Sequence, residues 1–190
     1  MHTSTPTLQE QLVAILIEKG LHSLPEPIQL ASGAWSSHFI DGKEALAAWK
    51  DLRLACQAIV EKVTDAGHRF DAVGGLTLGA DALAVGIAAV SDTKWFVVRK
   101  EAKGRGTRRS IEGARIGPDD RVLLVDDVVT TGGSMFKALD AIQQTGAEVA
   151  AAVTLVDRGD SARLRFDRLG LAYLPMATYE TLGIEPVRPG

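Results

Sequence analysis

The sequence predicts an α/β fold with a central parallel sheet flanked by helices, and two observations carry that prediction. Apolar runs at 121–125 and 149–156 are hydrophobic on both strand faces, as strands covered by helices on each side are. From residue 71 onward such runs alternate with segments of helical period. In sheets of this kind the ligand site lies beyond the carboxyl ends of the strands. That singles out the loops at 76–80, 99–113, 126–134 and 157–160.

Each element has its own signal. Thr7 and Glu10 have capping-box spacing, and Leu8, Leu12, Ile15 and Leu16 form a helical stripe that Gly20 stops. Extended runs at 28–31 and 38–41 flank Ser32-Gly33-Ala34-Trp35-Ser36, whose Gly and Ser favour a turn, so a small hairpin is expected. From 43 to 66 the pattern is helical, with Leu46, Trp49, Leu52, Leu54 and Ile59 among its apolar positions and Gly67 at its end. There follow a strand at 71–75, a helix at 80–90, a strand at 95–98 and a polar loop as far as Gly113. The strand at 121–125 leads to a helix at 134–145, stopped by Gly146, and then to the strand at 149–156. Trp49 and Trp95 read as core, and the segment after Leu171 carries no motif.

Composition narrows the function classes. A length of 190 residues suits one domain, and 46% hydrophobic residues are too many for a disordered chain. A net charge of −3 argues against a general nucleic-acid binder. The single Cys56 excludes an internal disulfide framework and a zinc site built on several cysteines, and it reads as a buried small hydrophobe. No apolar run approaches the roughly 20 residues of a membrane span. The start MHTSTPT lacks the pattern of a secretory signal, so a cytoplasmic protein is expected.

The most informative stretch is Asp126-Asp127-Val128-Val129-Thr130-Thr131-Gly132-Gly133-Ser134 after an apolar strand. Its glycines let the backbone approach a phosphate monoester, and the start of the following helix adds positive potential. The hydroxyls of Thr130, Thr131 and Ser134 add donors, while two carboxylates can bind a sugar diol or stabilise a developing cation. The plain alternative is a strand end followed by a helix cap. Receiver domains also carry an acidic pair after a strand, but near the N-terminus and without the Thr-Gly loop. The Gly-Lys-Ser/Thr ending of a Walker loop is absent.

With these residues the sequence resembles the type I phosphoribosyltransferases, whose fingerprint binds phosphoribosyl pyrophosphate (PRPP). The resemblance implies that Asp126 and Asp127 face the ribose hydroxyls and that residues 130–134 cradle the 5′-phosphate. Residues 99–109 hold six cationic side chains and one acid. They are similar to the catalytic loop of the orotate phosphoribosyltransferases, Arg-Lys-Glu-x-Lys-x-His-Gly, through Arg99, Lys100, Glu101, Lys103 and Gly106. Arg105 stands where that family has His; it keeps the charge but is not suited to proton exchange near neutral pH. The segment from Gly74 to Asp81 corresponds to the loop that receives pyrophosphate, at Thr77, Leu78 and Gly79. Asp157-Arg158 resembles a strand end at which the arginine approaches the pyrimidine. Residues 30–41 resemble the family's hood, with Phe39 beside the base, although Ala31 and His38 replace a common Lys and Tyr. His38 reads as a wall residue.

The resemblance implies one phosphoribosyltransferase domain over residues 1–190, with a hood mainly in 1–42 and a core over about 43–170. It implies Mg²⁺-dependent transfer of ribose 5-phosphate from PRPP to orotate, with the ion held through PRPP and water rather than by a dedicated set of protein ligands. Lys103, Asp126 and Asp127 would be catalytic; Arg99, Lys100, Lys103 and Arg105 would bind PRPP, with Arg99, Lys100 and Lys103 stabilising the leaving pyrophosphate. A homodimer is implied, in which the 99–109 loop reaches the partner's site. Ala31 and Arg105 leave open another pyrimidine or a purine as the base. A sensor that binds PRPP without turnover is the alternative from a different class.

Overall fold

The computed structural model describes residues 5–30, 33–100 and 110–187. The chain opens with α1 (Leu8–Ile15), which a wider π-type turn prolongs over Leu16–Gly20, and then forms a hairpin of β1 (Leu21–Gln29) and β2 (Trp35–Ile40). Next come α2 (Gly42–Ala45), α3 (Trp49–Asp65), β3 (Ala72–Leu76), α4 (Asp81–Ser91), β4 (Lys94–Val98) and β5 (Ile111–Gly113). The remainder is β6 (Arg121–Val129), α5 (Gly133–Gln143), β7 (Glu148–Asp157), α6 (Ser161–Arg168) and β8 (Tyr173–Thr178). Both halves of the capping box at α1 are made, between Thr7 and Glu10.

Among the described residues the hairpin pairs only with itself, while the other strands form one sheet in the order β5-β4-β3-β6-β7-β8. Every neighbouring pair in it is parallel except β4 with β5. From β3 the chain moves outward to β4 in one direction, and from β6 to β7 and β8 in the other. The order therefore reverses between β3 and β6, and a crevice opens there at their carboxyl ends.

Alternation along β6 divides the core. Leu123 and Val125 face one apolar cluster with α1, α3 and α4, while Val122 and Leu124 face the other with α5 and α6. Cys56 is fully buried in the first cluster, where loss of hydration pushes its thiol up to about 12.

Several elements differ from the sequence expectation. The helix expected over 43–66 is two helices, because Ala48 is extended (φ −83°, ψ 133°) and turns the chain between them. The first piece packs on the π-type turn at Leu16–Gly20 and on β6, and the second on α1 and α4, surfaces that one straight rod does not serve. Trp49 and Trp95 are not core: they are 58% and 42% exposed, Trp49 opening α3 and Trp95 lying in β4 next to the edge strand. The hairpin strands are longer than expected. The loop expected up to Gly113 ends in β5, an antiparallel edge strand of three residues. The motif-free end of the chain supplies β8.

Gly75 lets the end of β3 close tightly on β6. A Cβ built there would lie 2.0 Å from the Val125 carbonyl oxygen, a backbone atom that cannot yield. Gly75→Ala is therefore expected to cost about 3 kcal/mol of stability in urea unfolding. Gly117→Ala, where an added Cβ would meet none of the described residues beyond its chain neighbours within 4 Å, should change it by less than about 0.5 kcal/mol.

Candidate active site

Asp126 and Asp127 lie within β6, not beyond it, because the strand continues pairing with β7 as far as Val129. Consecutive strand residues ordinarily point to opposite faces. Here both side chains nevertheless turn an oxygen toward Gly79: a Cβ on Gly79 would lie 2.4 Å from Oδ1 of Asp126 and 2.5 Å from Oδ1 of Asp127. Any other residue at position 79 would take the space the carboxylates occupy. The backbone N–H of Asp127 donates to Asp126 Oδ1 (3.0 Å), and that of Val128 donates to Asp127 Oδ1 (2.8 Å). The ammonium of Lys43, in α2, donates to Asp127 Oδ2 at 2.9 Å. Asp126 is only 5% exposed. Burial, then the neighbouring charge of Asp127, pushes its carboxyl up to about 7. The bond to Asp127 raises Lys43 in turn.

Beyond β6, Gly132 occupies the N-cap of α5 with φ +79°, the left-handed region that glycine enters freely. No side chain among the described residues caps this helix, so its first N–H groups, at Gly133 and Ser134, are without a side-chain partner there. Arg165, from α6, braces the turn from behind. Its guanidinium lies 3.5 Å over the Phe136 ring and donates to the Thr131 carbonyl at 3.4 Å.

At the end of β7, Arg158 is 2% exposed and joins the hairpin to the core. One of its nitrogens donates to Ser36 Oγ (2.8 Å) and to the His38 carbonyl (2.9 Å). Its Nε is buried without a hydrogen-bond partner among the described residues. Burial lowers the guanidinium's pKa and pushes the neighbouring Asp157 up to about 6. The end of the chain crosses this point: Val187 donates to the Arg158 carbonyl at 2.7 Å. Phe39, exposed, alternates with Ser36 and His38 along β2 and stacks on His22 with ring centroids 6.4 Å apart. The structure thus brings Ser36 and the His38 backbone to Arg158, and turns Phe39 to the other face.

On the far side of the crevice, Thr77, Leu78, Val97, Arg99, Lys100 and Glu112 line a cleft of about 460 Å³. Arg99 pairs with Glu112 at 2.9 Å, and its backbone N–H donates to the Ser110 carbonyl at 2.8 Å. Lys103 and Arg105 lie outside the described residues, as does Ala31. Among the described residues no three His, Cys, Asp or Glu side chains are grouped to hold a metal ion. None of the helices there is long and apolar enough to cross a membrane.

A model of the phosphoribosyl transferase domain matches residues 42–166. An orotate phosphoribosyltransferase of Pyrococcus furiosus is 37% identical over 175 residues, which is 92% of this chain and 95% of that protein. The chain belongs to the orotate phosphoribosyltransferase family. The Aquifex aeolicus member is 38% identical over 169 residues, covering 86% of this chain and 91% of its own length. A Mycobacterium tuberculosis orotate phosphoribosyltransferase, solved with PRPP, has a TM-score of 0.77 at 29% identity, covering 94% of this chain and all of that one.

Within this phosphoribosyltransferase the motif residues Thr77 to Gly79, Arg99, Lys100 and Asp126 to Ser134 gather along one edge of the sheet. The sequence reading missed Lys43, Ser36 and Arg165. Lys43 had a signal, since it follows Asp41 at the close of the hood motif, but nothing in the local pattern aims it at β6. Arg165 belongs to a helix that carries no motif.

The high Asp126 carboxyl has a consequence for stability. The folded chain holds that proton up to about pH 7, whereas an unfolded Asp releases it near 4. Between those values the native state binds more protons, so stability falls as pH rises. Asp157 adds a change of the same sign up to about pH 6. The thermal midpoint should be lower at pH 8 than at pH 5. Asp126→Asn should shrink that difference by about 1 kcal/mol, roughly 3 °C for a domain of this size.

Proposed function

We propose that this chain transfers ribose 5-phosphate from PRPP to orotate, giving orotidine 5′-monophosphate and pyrophosphate, with Mg²⁺, in the cytoplasm and as a homodimer. The observation that carries the reading is the acid pair converging on Gly79 one turn before an uncapped, glycine-led helix start. That spacing fits a ribose diol at one end and a 5′-phosphate at the other. The extent of the relationship to the orotate enzymes supports the choice of base.

In this reading the N–H groups at the start of α5, with Thr130, Thr131 and Ser134, bind the 5′-phosphate. Asp126 and Asp127 accept the ribose hydroxyls and place negative charge beside the oxocarbenium-like C1 as the bond to pyrophosphate lengthens. The backbone at Thr77, Leu78 and Gly79 receives the departing pyrophosphate. Arg99 and Lys100, followed by Lys103 and Arg105, supply the cations that neutralise it. Arg158, which holds the hood through Ser36 and the His38 carbonyl, is the residue that meets the base. Two adjacent carboxylates do not cage a metal by themselves, but they suit an ion that brings its own oxygen ligands. Mg²⁺ carried by PRPP and water fits that donor set and would supply charge neutralisation at the pyrophosphate.

The test is pyrophosphate release with PRPP and Mg²⁺ over a panel of bases. Orotate should support turnover. Release with a different base alone would overturn the substrate, and PRPP binding without release for any base would favour a sensor. Lys103→Ala should cut turnover by about 100-fold or more while leaving the unfolding midpoint in place. Near-full activity of that variant would rule out the role given to the loop.

A further inference from the structure

We propose that Lys43 is a positioning residue for the ribose site, acting through Asp127: its Nζ holds Oδ2 of that carboxylate, 2.9 Å away, so that Oδ1 stays beside Gly79 and Asp126. The inference rests on the reading of the crevice as a ribose site and names a determinant of that site which lies in none of the motifs.

The argument starts from the backbone. Asp41 closes the hood and caps α2, accepting from the N–H groups of Lys43 (2.9 Å) and Glu44 (3.0 Å) through Oδ1. Its own N–H donates to the Gly20 carbonyl at 2.9 Å, so the cap is anchored to the end of the first helix. Gly42 then lies flush on β6, where a Cβ would sit 3.3 Å from Cβ of Asp127 and 3.4 Å from a Leu155 methyl. Lys43 is therefore held next to the acid strand by main-chain contacts rather than by its own long side chain.

The carboxylate of Asp127 is held at both oxygens. The Val128 N–H binds Oδ1 at 2.8 Å and Lys43 binds Oδ2, which leaves the group little freedom to rotate. Without the ammonium, Oδ2 of Asp127 would lose its partner beside the buried Asp126 carboxyl, and Asp127 would turn toward water. The ammonium also sees Asp41 at 3.9 Å, so the acids around it number three and Asp127 is the near one. Its side chain is 59% exposed, which puts its value in orientation rather than in stability.

A double-mutant cycle on the full chain separates this role from others. PRPP affinity is measured by calorimetry for wild type, Lys43→Met, Lys43→Arg, Asp127→Asn and the Lys43→Met, Asp127→Asn pair. Lys43→Met should weaken PRPP binding about tenfold and leave KM for the base unchanged, and Lys43→Arg should restore most of the loss. In the Asp127→Asn background the methionine should add less than about twofold. A loss of equal size in both backgrounds would overturn the inference, because Lys43 would then act without Asp127; so would wild-type affinity in Lys43→Met. Failure of the wild type itself to bind PRPP would instead remove the functional reading, and this inference with it.

Discussion

The site depends on how closely one piece of backbone approaches another. The end of β3 and the loop after it approach β6 so closely that neither Gly75, in the strand, nor Gly79, in the loop, has room for a Cβ. That approach turns the reversal of strand order into a narrow crevice and brings an oxygen from each of two consecutive acids to one spot. Burial of Asp126 and repulsion from Asp127 follow from it, and so does the high carboxyl pKa. Gly79 is a packing requirement of the acid pair as much as a property of the loop.

Around that crevice the elements divide the labour. The helix start at Gly132 offers donors to an anion, and Arg165 braces the loop through a carbonyl and a ring. The hairpin reaches the core through Arg158, and the chain end is laid over the same strand terminus by the Val187 N–H. The hood, the segment at Val187 and the sheet thus meet at one residue, Arg158, the hood at its guanidinium and Val187 at its carbonyl.

Much of this was legible in the sequence because the signals are local. The apolar strands, the capping box at Thr7, and the run from Asp126 to Ser134 are each contained in one short window. What was not legible is long-range. The bend at Ala48 has neither Gly nor Pro to mark it and arises from two packing surfaces. Trp49 and Trp95 looked like core by residue type, but their faces of α3 and β4 turn outward. Lys43 to Asp127 and Arg158 to Ser36 span 84 and 122 positions, so no window could pair them. Phe39 shows the sensitivity of a strand: one position of alternation separates it from the residues that reach Arg158.

The separateness of the β1–β2 ribbon has an evolutionary consequence. Because among the described residues it forms no ladder with the six-stranded sheet, it can change sequence without disturbing the strands that carry the acids and the phosphate loop. Yet it ends on Arg158, through Ser36 and His38. A lineage could therefore retune which base is accepted by substitutions in a peripheral ribbon, while the sugar-phosphate machinery stays unaltered beneath it.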